Sequence, residues 1–238
     1  MKNILITGAS RGIGRAIALK FSKNGNRIFI NYKSDEISAR EVRELSEKKG
    51  AQAVLVPFDV SNYQEVKAAL SEIHSIDILV NNAGISYTSL FQDLSFENWQ
   101  ELWQTNVSGV IFTTQEAVKK MLGKKSGVII NISSVWGISG AAMEVQYSAT
   151  KGAVISASRA LAKELAPSGI RVNAVAPGAV RTDMVKLSPL DEKTLIEETP
   201  LGRMGTAEEI AELVYYLCSD SASFITGQVI SPNGGLVI

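Results

Sequence analysis

Short apolar runs recur along this chain, and each is followed by a longer stretch of helical periodicity. The runs read "NILIT", "RIFINY", "QAVLVPF", "DILVNNAG", "GVIINISS", "IRVNAVAP" and "GQVISPNGG". Between them, helices are predicted over residues 13–24, 35–49, from Ser61 onward, 96–122 and 145–166, and in "AEEIAELVYYLCS". Ser61 with Gln64, and Thr206 with Glu209, fit capping boxes that open two of these helices. Strand–helix alternation at this spacing requires crossover connections, and crossovers join parallel strands. Runs such as "GVIINI" lack polar alternation, which suits strands covered on both faces.

The predicted fold class is therefore α/β. A single Rossmann-like domain over residues 1–238 carries a doubly wound parallel sheet with helices on both faces. No internal repeat or low-complexity linker divides it. The segment 186–200 is polar and irregular, and it follows a strand's carboxyl end. It reads as a lid over the site, with a plain surface excursion as the other reading.

Composition narrows the function classes. The formal net charge is zero, which gives no broad surface for nucleic acid or an anionic membrane. No apolar run reaches membrane-spanning length, and no signal peptide is read at the start, so a cytoplasmic protein is expected. One cysteine, Cys218, and one histidine, His74, argue against a dedicated metal site. Cys218 reads as a small buried hydrophobe and His74 as a surface loop residue.

"TGASRGIG" spans Thr7–Gly14 between the first strand and the first helix. Gly8, Gly12 and Gly14 allow a tight turn and a close backbone approach, and the helix start offers free N–H groups to a diphosphate. A structural turn would also need glycine. The placement nevertheless favours a dinucleotide site. Where an NAD site would carry an acid at the end of the second strand, this chain reads Asn31–Tyr32, and the first acid is Asp35. Arg11, Lys33 and Ser34 can instead meet a 2′-phosphate, which points to NADPH. The competing reading leaves Lys33 simply solvated.

"QYSATKGA" places Tyr147 and Lys151 four residues apart, on one face of a helix. Together with "TGASRGIG", "NNAG" at Asn81–Gly84, Ser134 and "PG" at Pro177–Gly178, it resembles the short-chain dehydrogenase/reductase family. The likeness runs from Lys2 to Gly235, with the motifs in order on the expected elements. It implies carbonyl reduction, with Tyr147 as proton donor, Lys151 as its partner, Ser134 holding the substrate oxygen and Asn106 completing the set. The spacing of 13 residues to Tyr147 selects Ser134 over Ser133. A phenol has an ordinary pKa of about 10, and a neighbouring ammonium is expected to lower it. The resemblance also gives Lys151 hydrogen bonds to the nicotinamide ribose and gives Asn106 a water that links Lys151 to solvent.

Further cofactor contacts follow from the same resemblance. Ser10 and Ile13 belong to the glycine loop. Asp59 and Val60 match positions around the adenine, and Asn82, Ala83 and Gly84 line the cofactor. Val180 and Thr182, after Pro177 and Gly178, match positions at the carboxamide and phosphate. "NNAG" and "PG" also read as turn chemistry at strand ends.

The C-terminal block "PLGRMGTAEEIAELVYYLCSDSASFITGQVISPNGG" resembles bacterial 3-oxoacyl-(acyl-carrier-protein) reductases. These reduce a β-keto thioester on an acidic carrier and form homotetramers. Of two basic carrier-docking positions, Lys125 keeps the charge and Ser168 does not. Trp136 and Glu144 also depart from that pattern. Their stretch resembles reductases of the 5-aminopentanone modification on elongation factor P. Glu144 would suit an amine-bearing ketone, or it is an acid at a helix N-terminus. A reductase of another small ketone is a further alternative. Non-catalytic, dinucleotide-sensing members of the fold generally lose the tyrosine or lysine. This chain has all four residues.

Overall fold

The computed structural model describes residues 1–23, 25–182 and 192–238. The strands are β1 (Asn3–Ile6), β2 (Arg27–Tyr32), β3 (Gln52–Pro57), β4 (Ile78–Asn81), β5 (Gly127–Ile132), β6 (Ile170–Val175) and β7 (Val229–Ile230). They form one seven-stranded sheet in the order β3-β2-β1-β4-β5-β6-β7, with every pairing parallel. The helices are α1 (Gly12–Phe21), α2 (Glu36–Lys48), α3 (Tyr63–Ser71), α4 (Phe96–Trp103), α5 (Gly109–Leu122), α6 (Trp136–Ser139), α7 (Val145–Leu165), α8 (Glu192–Glu197) and α9 (Ala207–Leu217).

Two cores sandwich the sheet. Ile4, Ile6, Ile28 and Ile30 face α1 and α9 with Ile17, Val214 and Leu217. Leu5, Leu79, Ile129 and Val172 face the other way, with Val66, Leu70, Ala117 and Leu165. Adjacent residues of one strand thus enter opposite cores, which is why these strands read as unbroken apolar runs. The chain order reverses between β1 and β4, the switch point at which open α/β sheets place their ligands.

Three local readings need correction. The helix predicted over 96–122 is interrupted by a π-helical turn at Gln104–Ser108, which lies between α4 and α5. The Ser61–Gln64 capping box does not form. Asn62 is the cap of α3 and accepts from the N–H groups of Gln64 and Glu65, whereas Ser61 Oγ turns back to Asp59 at 2.7 Å. The Thr206–Glu209 box does form at α9. The first helix ends at Phe21, and position 24 of its predicted span lies outside the described residues. So do residues 186–191 of the lid segment, whose remainder includes α8. His74 is exposed and Cys218 is buried, and burial pushes its thiol up to about 12.

Candidate active site

Beyond the β1 and β4 ends, the glycine turn and the "NNAG" turn lock together. Thr7 Oγ1 accepts from the N–H groups of Asn82 and Ala83 at 2.9 and 3.0 Å. The Asn82 amide donates to the carbonyls of Thr7 and Gly8, each at 3.0 Å. Gly8 has φ +61, and a Cβ there would lie 2.9 Å from Ala83 Cα. A Cβ on Gly14 would lie 2.3 Å from the Gly8 carbonyl oxygen and 2.5 Å from Asn82 Nδ2. Gly12 has φ +54, and a Cβ there would lie 3.6 Å from Thr182 Cγ2. No side chain caps α1, because Arg11 at its N-cap makes no capping bond. The result is an open helix N-terminus over a backbone turn that no side chain fills. These residues fit a dinucleotide diphosphate.

The ribose end differs from expectation. Asn31 does not present a free amide to a ligand. It is buried, accepts from Gly8 N–H at 3.1 Å and donates to the carbonyls of Val56 and Phe58 at 3.1 and 3.0 Å. Asn31 therefore braces the glycine turn, a task that no local pattern signals. Tyr32 packs in the core beside Ile30. Lys33 is neither bare nor simply solvated, since its ammonium pairs with Asp59 at 2.7 Å. Burial would raise the Asp59 carboxyl, but hydrogen bonds from Lys33 and Ser61 hold it below its ordinary value. Val60 is buried against Gly109, where a Cβ would lie 2.8 Å from Val60 Cγ2. Ser10 is buried, Ile13 packs against the core, and Ser34 is exposed and accepts from Glu36 N–H.

Farther along the sheet, Val135 N–H donates to the Pro177 carbonyl at 2.9 Å, which ties the end of β6 to the segment after β5. Gly178 lies against Asn233, and Val180 bridges to Gly205.

The four expected catalytic residues gather around the start of α7. Tyr147 and Lys151 are one turn apart and both buried, with the ammonium 5.6 Å from the phenol ring centroid. Ser134, from the turn after β5, lies near the phenol and accepts from the Trp136 N–H at 3.2 Å. Lys151 Nζ donates to the Ile132 carbonyl at 3.0 Å. Asn106 is fully buried in the π turn, a distortion that turns its amide toward Ile85 and Thr150. Gly84 makes this convergence possible. A Cβ there would lie 3.2 Å from Asn106 Oδ1 and 3.3 Å from Lys151 Nζ.

The expected lowering of the Tyr147 pKa is not what the site produces. Burial raises the phenol above its ordinary value, the neighbouring Ser134 hydroxyl opposes this, and the nearby Glu144 charge raises it again. Burial also depresses Lys151, to about 8. Two buried groups that would both be charged each favour the neutral form.

Glu144 stands at the N-cap of α7, yet its side chain caps nothing. It accepts instead from Ser86 Oγ at 2.9 Å, and burial raises its carboxyl. Trp136 is half-buried at the start of α6. Sequence reasoning missed Ser86 and Gly137. A Cβ on Gly137 would lie 2.7 Å from the Lys151 backbone carbonyl carbon, so α6 can pack on α7 only through glycine. Among the described residues no group of acids, histidine and cysteine could hold a metal ion, and no helix is long and apolar enough to cross a membrane.

Known proteins resemble this chain in sequence and in fold. Residues 8–237 match the family model described as "Enoyl-(Acyl carrier protein) reductase". The "3-oxoacyl-[acyl-carrier-protein] reductase FabG" of Aquifex aeolicus is 43% identical over 98% of this chain and 96% of its own. The "Uncharacterized oxidoreductase YmfI" of Bacillus subtilis is 41% identical over 98% of each chain. The crystal structure of a 3-oxoacyl-[acyl-carrier protein] reductase from Brucella melitensis superposes with TM-score 0.94 at 36% identity, covering 100% of this chain and 91% of that one. Sequence likeness over nearly the full length, a matching fold and the gathered Ser–Tyr–Lys–Asn set agree, and the chain belongs to the short-chain dehydrogenase/reductase family.

Proposed function

We propose that this chain is an NADPH-dependent 3-oxoacyl-(acyl-carrier-protein) reductase that converts the β-keto thioester to the 3-hydroxy thioester in fatty acid biosynthesis. The observation that carries it is the gathering of Ser134 and Tyr147 with buried Lys151, one helical turn along, beside the glycine cradle. The full-length FabG relatives supply the substrate class.

The cradle of Gly8, Gly12, Gly14, Asn82, Ala83 and Thr182 would hold the dinucleotide, which supplies the hydride when bound. Every other task falls to the chain. Burial keeps Tyr147 protonated at neutral pH, so it meets the substrate as an acid. A ketone oxygen beside Ser134 and Tyr147 accepts a hydrogen bond from each, and Tyr147 passes its proton to that oxygen as the alcohol forms. The phenolate left behind is stabilised by Lys151, which at about 8 is largely an ammonium at neutral pH. Asn106 holds Ile85 at both backbone groups and so fixes the wall next to Gly84 and Lys151.

NADPH preference rests on Arg11 and Lys33. Lys33 already shares its charge with Asp59, so Arg11 carries the larger share. Binding titrations should favour NADPH over NADH by on the order of tenfold or more. Arg11→Ala should weaken NADPH more than Lys33→Ala does. Equal affinity for the two nucleotides would sink the ribose-phosphate argument.

One observation favours a second reading, the reductase of the 5-aminopentanone group on elongation factor P. The Glu144 carboxylate sits near Tyr147 without capping its helix, where it would attract an ammonium. Turnover of acetoacetyl carrier protein against ketone-bearing elongation factor P decides between them. On the second reading, Glu144→Gln should cut the preference for the amine-bearing ketone about tenfold. Equal slowing on both substrates would show that Glu144 does not read substrate charge.

A homotetramer belongs to the same proposal. The exposed stack of Phe96, Trp99 and Trp103 along α4 supports a face covered by another subunit. A cytoplasmic location accords with this reading.

A further inference from the structure

The loop after β4 is stitched to its surroundings at nearly every residue. Ile85 exchanges two hydrogen bonds with the Asn106 amide, each 2.9 Å. Ser86 Oγ donates to Glu144 Oε1 at 2.9 Å. The Tyr87 hydroxyl donates to Glu101 Oε2 at 2.5 Å. Ser89 N–H donates to the Met143 carbonyl at 3.0 Å. Met143 holds φ +61, a left-handed conformation that is costly for a residue with a side chain. Two of these stitches end on Met143 and Glu144, immediately before the helix that carries Tyr147.

We propose that Glu144 is a positioning residue for the reduction: through Ser86 it clamps the loop of residues 85–89 to the start of α7 and fixes Tyr147 against the substrate wall. The inference rests on the reductase reading of the site. Three observations argue for it. The Glu144 side chain forgoes the N–H groups of its own helix, although it occupies the N-cap. Among the described residues it has no ion-pair partner, and its hydrogen bond goes to Ser86. Gly84, Ile85 and Ser86 are consecutive, so one short strip faces Lys151, holds Asn106 and grips Glu144 in turn. Displacing that strip moves the wall against which Tyr147 must meet a carbonyl. A small misplacement of this kind slows chemistry more than binding. The Glu144 charge also helps hold the proton on Tyr147.

The test uses the full-length enzyme with NADPH and acetoacetyl carrier protein. Ser86→Ala and Glu144→Ala should each lower kcat about tenfold with little change in KM. Glu144→Gln keeps the acceptor oxygen and should recover most of the rate lost in Glu144→Ala. The double variant should be no slower than either single, because both remove one contact. Amide hydrogen exchange over residues 85–90 should quicken in both alanine variants while β5 and β6 stay protected. The clamp is overturned if Ser86→Ala keeps wild-type kcat and exchange while Glu144→Ala loses rate, since Glu144 would then act by charge alone. It is equally overturned if the alanine variants only lower the melting temperature and leave kcat intact. If the wild type does not turn over the thioester, the substrate reading fails separately. Exchange then decides: faster exchange in both alanine variants upholds the clamp, and unchanged exchange overturns it.

Discussion

Tyr147→Phe is expected to remove about three orders of magnitude from reductase turnover while leaving the fold and NADPH binding in place. The substitution deletes one oxygen from a side chain that is 8% exposed, and the ring that fills the space remains. Ser134 loses the phenol but keeps the Trp136 N–H, so no buried hydroxyl is orphaned. The stability change should stay within about 1 kcal/mol. The proton is a different matter. Burial holds it on Tyr147, and Lys151 cannot replace the phenol, because its Nζ is turned to the Ile132 carbonyl. Single-turnover kinetics together with nucleotide titration check both halves. Wild-type-like turnover would remove Tyr147 from the mechanism.

How much of this could be read from the residues depends on the range over which each contact acts. The strands were legible because consecutive residues enter two cores, and an unbroken run such as "GVIINI" has few other uses in a chain of this charge. The catalytic types and spacings were legible because Tyr147 and Lys151 lie one helical turn apart. The π turn at Asn106 left no such trace. It aims an amide that bonds both backbone groups of Ile85, 21 residues earlier. Asn31 read as a missing acid, whereas its amide reaches Gly8, Val56 and Phe58 on neighbouring turns and strands. Glu144 offered two readings from sequence, and its partner Ser86, 58 residues away, belonged to neither. The raised Tyr147 has the same origin, since burial belongs to the assembled site and spacing does not encode it. Local periodicity reports elements and motifs, whereas side-chain polarity across elements appears only once the sheet order brings them together.

Gly14→Ala is expected to abolish tight nucleotide binding and to destabilise the domain. The new Cβ would sit 2.3 Å from the Gly8 carbonyl oxygen, 2.5 Å from Asn82 Nδ2 and 3.0 Å from Ala9 Cα. Two of those atoms are backbone, and the third is held by bonds to the Thr7 and Gly8 carbonyls. None is the free end of a flexible chain, so the glycine turn itself must open. Overpacking of this kind costs about 1–3 kcal/mol. The greater loss is in function, because the turn that opens is the one whose N–H groups and helix end would receive the diphosphate. NADPH affinity should fall about a hundredfold or more, a change on the order of 3 kcal/mol. Gly123→Ala is the control. It lies at the end of α5 with φ −60, and nothing stands within 4 Å of its added Cβ. That variant should match or exceed wild-type stability by up to about 1 kcal/mol and bind NADPH unchanged. Thermal melts and fluorescence titrations with NADPH measure both. If Gly14→Ala bound the nucleotide as tightly as wild type, the turn between β1 and α1 would be a structural corner, and the dinucleotide site would have to lie elsewhere.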